Sequence, residues 1–325
     1  MSEILSSALA GLKDRPDLAD AIYQWRPDGV RFAADEILPV VPVDMQAGSV
    51  EVVTTESLLN VPNTARAAGG YYNEINEYLT TIAYSCTDKG LENADLHGYK
   101  QTLQYNREVG KVQHILWQMM LAREKTVMDR VLNATTWSGM ITTPPQVTAA
   151  HKNWSDPKNS DPIADVMTAK AAVLGRTGVE PNAVIMSAKT LGSLLVHEKI
   201  LAKFQNNSVV TNQLIQDSLK LIFDVEKIIV SDVMYNVAAE GLTASLSSVA
   251  SDTYVSVARV GGAGGIATPA IGWTFLWNED SPNPYTVESY ADTRRRATIY
   301  CVRHNTDEKI VEPKFAQLIK VDGHK

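Results

Sequence analysis

Cysteine is scarce: the 325-residue chain has two, Cys86 and Cys301. Two thiols so far apart form neither a disulfide framework nor a zinc site, so both are expected reduced and mostly buried, as in a cytosolic protein. Long apolar runs are lacking, and none approaches the roughly 18 residues of a membrane span. The opening MSEILSSALAGLKDR has neither the basic first part nor the long apolar stretch of a secretory signal. These absences predict a soluble chain made in a cytoplasm, with no membrane partner. Positive charge is in deficit, with 30 Lys and Arg against 37 Asp and Glu. Proteins that read nucleic acid present a basic face, because affinity comes mainly from neutralising phosphates. At a net charge of −7, tight DNA binding is not expected.

Signatures of chemistry are missing too. GGAGG at 261–265 offers glycine amides, but its spacing is neither that of a dinucleotide fingerprint nor of a P-loop. The IATP that follows opens no helix, so the segment reads as a flexible loop. The six histidines show no HExxH and no paired metal spacing. Asp156, Asn159 and Asp161 lack the glycine and distal glutamate of a calcium loop and read as turn and cap residues. Ser187 and Ser193 have no G-x-S-x-G elbow. RRR at 294–296 is the one dense basic cluster, and at a strand start it fits pairing with carboxylates of the same or a neighbouring subunit. No catalytic residue, metal ligand or cofactor is assigned, and the chain is expected not to be an enzyme.

What the chain does have is core. With 45% hydrophobic and 21% charged residues, it buries a sizeable interior over about two domains. Six Trp and twelve Tyr add large amphipathic surfaces of the kind enriched at interfaces. Residues 3–25 fit two short amphipathic helices, the second opened by Pro16. Pro39 and Pro42 force extended backbone. GSVEVVTTESLL at 48–59 suggests a strand, and the turn-rich NVPNTARAAGGYYNEINEY follows. Residues 44–76 thus form a two-stranded excursion, marginal by itself in water and so expected to rest on something else.

The clearest helix lies within 97–137. Leu103, Tyr105, Val109, Val112, Leu116, Met119, Met120, Val127 and Val131 recur near a 3.6 period, interrupted by Gly110. A helix over 99–133 would extend roughly 50 Å, a girder for an elongated molecule. Asp161 and Pro162 then open a helix whose inner stripe is Ile163, Val166, Val173 and Leu174, and Gly175 or Gly178 ends it. AVIMS is a brief strand. Ser187 caps the next helix, whose inner face is Leu191, Leu194, Leu195 and Leu201. VTNQLIQDSLKLIF is a third amphipathic helix, EKIIVSD and TYVSVARV are strands, and the tail reads as strands. In the tail, Ala297, Ile299 and Cys301 alternate with Thr298, Tyr300 and Val302. No internal repeat or low-complexity linker appears.

The order of these parts is distinctive. An amphipathic arm, a polar hairpin and a long helix precede NWSDPKNSDPIADV, GVEPNAVIMSAKTLGSLLVHEKILAKF, VEKIIVSDVMYNVAAEGLTASLS, ATPAIGWTFLWN, an arginine-rich strand and DEKIVEPKFAQLIK. Together they resemble the major capsid proteins of tailed bacteriophages, the HK97-like fold, over nearly the whole chain and most strongly from Asn153 to Val321. The resemblance implies an α+β fold in five parts: an N-terminal arm over 1–43, an extended loop over 44–76, a peripheral domain over 77–157 with its spine helix, an axial domain over 158–285, and return strands over 286–325. Residues 236–250 are a candidate for the axial tip.

The function implied is self-assembly into pentamers and hexamers of an icosahedral shell. That shell encloses double-stranded DNA without sequence-specific binding, in the virion and, during assembly, in the host cytoplasm. Asn63, Arg66, Tyr71, Tyr72, Asn73, Arg294, Arg295 and Arg296 are the candidate inter-subunit contacts. Some relatives crosslink through a lysine of the extended loop. Residues 44–76 contain no lysine, so contacts here are expected to be non-covalent. Fold-like sequence begins near the N-terminus, which favours a separate scaffolding protein, beside a portal and a possible decoration protein. Encapsulin compartment shells share the fold and form the alternative. A nucleotide-dependent enzyme using 261–265 and a minor decoration or tail protein are rivals from other classes.

Overall fold

The computed structural model describes residues 13–18, 29–53, 59–66, 68–75, 79–97, 107–135, 147–149, 153–204, 212–239, 241–262, 265–278 and 285–321. The expected first helix within 3–25 and the start of the long helix, 99–106, lie outside the described residues. Two larger sheets organise the chain. The first joins β1 (Lys13–Asp14), β2 (Val40–Val43), β5 (Thr87–Leu96), β12 (Gly272–Trp277), β13 (Thr286–Asp292) and β14 (Ala297–Ile310). Its path runs β1-β13-β14-β12-β2, with β5 also on β14. Both β5 and β13 pair with residues 297–303 of β14, so they occupy its opposite edges. Pro42, which cannot donate to a ladder, sits in the terminal strand β2.

The second sheet has the order β6-β15-β11-β7-β8. Its strands are β6 (Val147–Ala149), β15 (Ala316–Lys320), β11 (Tyr254–Ala258), β7 (Ala183–Ser187) and β8 (Lys227–Ser231). Its alternating side chains divide between two cores, as pleating requires. Val184, Met186, Val255, Val257 and Ile319 face α3 (Pro162–Thr177), α4 (Ala188–Leu195) and α6 (Asn212–Ile222). Ile185, Ala258 and Leu318 face the other way, onto Val127, Met128 and Val131 of α2 (Arg107–Val131).

Helix α2 is the tie between the sheets. Its 25 residues span about 37 Å at 1.5 Å per residue. The first half packs Val112, Ile115, Leu116 and Met119 against Val287, Tyr300 and Val302 of the first sheet. Between the two apolar stretches come buried Arg123 and Glu124. Arg123 pairs with Asp35 at 2.6 Å and donates to Thr274 Oγ1 at 3.2 Å. One oxygen of Glu124, Oε2, accepts the amides of Ala33 and Ala34 at 2.9 and 2.8 Å, capping α1 (Ala34–Ile37). Burial pushes the Glu124 pKa up, and those amides pull it back.

Several expectations need correcting. Leu174 is 40% exposed and Leu201, on the short α5 (Glu198–Leu201), is 37% exposed; Ile200 is the buried neighbour. Cys301, expected mostly buried, is half-buried, while Tyr300 and Val302 of β14 meet α2 and Ala297 and Ile299 are buried as well. The excursion from β3 (Ala47–Val53) returns by β4 (Leu79–Ser85), beyond residue 76. Of the two ends expected for α3, Gly178, at φ +66°, is the one formed, and Gly175 lies within the helix.

Candidate functional site

Histidines, acids and serines first singled out have structural work. Ser187 and Asp161 cap α4 and α3, accepting the amides of Thr190 at 3.2 Å and Ala164 at 3.1 Å. Asp156 Oδ1 accepts from the amides of Lys158 and Asn159, both at 3.2 Å, in a turn. His197 is buried; its Nδ1 accepts the Lys199 amide at 3.3 Å, which places the proton on Nε2, 2.7 Å from Ser160 Oγ. Burial and then Lys199 lower its pKa. Among the described residues no group of three His, Cys, Asp or Glu could hold a metal ion, and no helix is long and apolar enough to cross a membrane. Gly261 presses on Trp273, where an added Cβ would meet ring carbons at 2.3 Å.

The hairpin of β3 and β4 is built differently, firm at its base and bare beyond it. At the base, Tyr84 stacks on Phe275 at 4.9 Å, and Cys86, Trp273 and Ala270 complete a small core. The Ser85 amide donates to Asp307 Oδ2 at 3.1 Å, and Lys309 Nζ donates to the Ala83 carbonyl. Further out, Val61 is 91%, Tyr71 98%, Tyr72 82% and Ile75 70% exposed. Hydrophobic side chains scattered singly on a surface need no explanation, but a cluster on one projection does.

Four of the five predicted residues in this loop organise it. Asn73 Nδ2 donates to the carbonyls of Asn63 at 2.6 Å and Ala65 at 3.2 Å, and Asn63 Oδ1 accepts the Ala65 amide at 3.0 Å. Arg66 Nη1 donates to the Gly70 carbonyl at 3.3 Å, and its guanidinium lies 4.1 Å from the Tyr72 ring centroid. Tyr71 stays outside this knot. Sequence reasoning missed Leu59: an added Cβ at Gly178 would stand 2.6 Å from Leu59 Cδ2, so this leucine rests on the end of α3 of its own chain. The apolar pair Leu58-Leu59, closing the stretch read as a strand, was the available signal.

The predicted arginines occupy the turn from β13 to β14. Asp292 Oδ1 accepts the amides of Arg294 and Arg295 at 2.9 and 3.1 Å, and Asp292 Oδ2 lies 3.6 Å from Arg295 Nε. Arg296 adopts φ +49°, and its carbonyl accepts the His97 amide at 3.0 Å. All three side chains are exposed, apart from the loop knot in sequence and in these contacts. A second projection is the hairpin of β9 (Met234–Asn236) and β10 (Leu246–Ser248), held by Asn236 Oδ1 accepting the amides of Ala238 and Ser245. It exposes Val237 at 52%, Leu242 at 70% and Leu246 at 65%. The two projections and the arginine turn thus carry exposed side chains.

This two-sheet architecture is the HK97-like fold of phage capsid proteins. The chain is similar over 211 residues, at 27% identity, to a major capsid protein of Burkholderia phage BcepMu, which covers 63% of this chain. The match spans 64% of that relative's length, a little under two thirds. A major capsid protein of Pseudomonas phage JBD67 is 24% identical over 220 residues, 66% of this chain and 68% of its own. Among solved structures, a phage-related protein from Bordetella bronchiseptica RB50 superposes with a TM-score of 0.72 at 22% identity, over 95% of this chain and 97% of its own. The mature capsid of bacteriophage PhiM1 superposes at 0.52, with 12% identity over 91% and 88% of the two chains. The SrpI encapsulin of Synechococcus elongatus PCC 7942 superposes at 0.51, with 10% identity over 92% and 90%. No family model matches the sequence.

Proposed function

We propose that this chain is the major capsid protein of a tailed bacteriophage. Copies associate as pentamers and hexamers and close an icosahedral shell around double-stranded DNA. The observation that carries the reading is the superposition over 95% of the chain at a TM-score of 0.72, joined to relatives named as major capsid proteins. In this reading the hairpin over 44–76, continued to its return strand, is the extended loop that lies on a neighbour. Residues 77–157 and 286–325 form the peripheral domain, 158–285 the axial domain, and the β9–β10 hairpin its tip. Asn63, Arg66, Tyr71, Tyr72 and Asn73 act at the loop contact, and Arg294, Arg295 and Arg296 at a second one.

The βα stretch from Gly175 to Phe204 serves as a wedge in this account: α4 and α5 stiffen the sheet while its edges meet other copies. A standard interface of roughly 1,600 Å² gives modest affinity alone, but several made at once in a closed lattice give strong avidity. The role is structural, without catalysis or cofactor, in the virion and, during assembly, in the host cytoplasm. A scaffolding protein, a portal and a decoration protein are the expected companions, and the loop contacts are non-covalent for want of a lysine. The net charge of −7 suits a container that does not grip its DNA. The encapsulin reading shares the fold, and shells holding a cargo protein in place of DNA would favour it. Negative-stain images of the purified protein test the proposal: rings or hollow polyhedra are expected, and uniform monomers under assembly conditions would refute it.

A further inference from the structure

The exposed aromatics of the loop need a partner surface, and the chain carries a cleft of matching size. It has a volume of about 360 Å³, walled by Val30, Phe32, Met120 and Ile228, with Arg31 and Glu36 at its rim. Phe32 meets Trp117 edge-on, with ring centroids 5.7 Å apart and planes at 87°, so one wall continues into an aromatic pair. The Arg31 amide donates to Asp232 Oδ1 at 2.7 Å, which fastens the segment before α1 beside β8. Asp35, also on the cleft, is committed to Arg123 at 2.6 Å. Ligand pockets run from roughly 300 to 1,000 Å³, so this one fits one or two side chains better than a dinucleotide.

We infer that this cleft is the seat of Tyr71 from a second copy of the chain, with Glu74 of that copy meeting Arg31 and Arg66 meeting Glu36 at the rim. The inference rests on the shell reading above and names where the loop lands. Within one chain Tyr71 is 98% exposed, so the cleft of its own subunit does not hold it. A tyrosine brings a large apolar area and a polar tip at small entropic cost, the profile of a binding hot spot. The loop is prepared for the task. The Asn63–Asn73 and Arg66–Tyr72 contacts fix its shape before binding, which lowers the ordering cost on association. Charges match as well: Arg31 and Glu36 on the cleft, Arg66 and Glu74 on the loop, are all exposed and of opposite sign in the pairs named.

The test uses the full chain with p-benzoylphenylalanine in place of Tyr71, irradiated under assembly conditions. An inter-subunit crosslink to a peptide holding residues 30–36, Met120 or Ile228 is the expected result. In parallel, Arg31→Glu and Glu74→Arg should each raise the concentration needed for assembly about tenfold, and the double variant should restore it. Circular dichroism confirms that each variant is folded. Assembly that proceeds with crosslinks mapped elsewhere, or a double variant worse than either single one, overturns the seat and leaves the shell reading standing. A wild-type chain that never assembles overturns both.

Discussion

Acidifying the free subunit probes the charges buried where β14 meets α2 and β5. His304 is 6% exposed and lies against the Tyr285 ring, centroids 5.0 Å apart at 21°. Burial lowers its pKa from 6.5 to about 4, and the positive charges of Arg123 and Lys89 act in the same direction against Glu308. The imidazole therefore folds neutral, whereas the unfolded chain takes up a proton as the pH falls through 6.5. Its contribution to stability is complete above pH 6.5, fades between 6.5 and 4, and is gone below that. The shift, 6.5 minus about 4, corresponds to about 3 kcal/mol at 1.36 kcal/mol per unit. His304→Phe keeps a ring against Tyr285 and cannot titrate. Urea unfolding of both proteins across this interval should show the wild type losing about 3 kcal/mol more than the variant. His197, also lowered by burial, titrates in both proteins and cancels in the difference. Equal pH slopes, or an imidazole that titrates in the folded subunit near its ordinary value, would refute the reasoning.

Substitutions at three further positions probe the frame. At Gly272 an added Cβ would stand 2.2 Å from the Lys309 carbonyl oxygen, inside the β12–β14 ladder; Gly272→Ala should cost about 3 kcal/mol by urea unfolding. Gly192→Ala, on α4 with nothing within 4 Å, should instead stabilise by about 0.5–1 kcal/mol. Glu124→Leu strands two buried amides of α1 and should cost about 2–4 kcal/mol, while Glu124→Gln keeps an acceptor and should cost about 1 kcal/mol, read as a difference in thermal midpoint.

Elements with local punctuation were legible. Asp161-Pro162 and Ser187 are cap signals whose hydrogen bonds form as expected, and the apolar period of α2 locates its packing face. Strand β5 was not legible: TDKGLENADL is polar and carries a glycine, and it is a strand because ten residues of β14 supply its ladder. The period of α2 likewise hides Arg123 and Glu124, charged residues buried because the segment around α1 brings them Asp35 and two amides. At the candidate site, Asn63, Arg66, Tyr72 and Asn73 were legible as a polar, turn-rich group. Their mutual contacts depend on a fold-back that no spacing rule encodes, and the cleft near Phe32 draws on segments roughly 200 residues apart in the chain.

The packing of α2 against both sheets has a mechanical consequence. A rod about 37 Å long pivoting near its middle converts a tilt of about 5° into a displacement of about 3 Å from end to end. Arg123 and Glu124 lie about two thirds of the way along it, and their partners belong to α1, its entry and Thr274 of β12. A tilt of α2 would therefore move one sheet relative to the other and load the buried contacts of Arg123 and Glu124 as it does so.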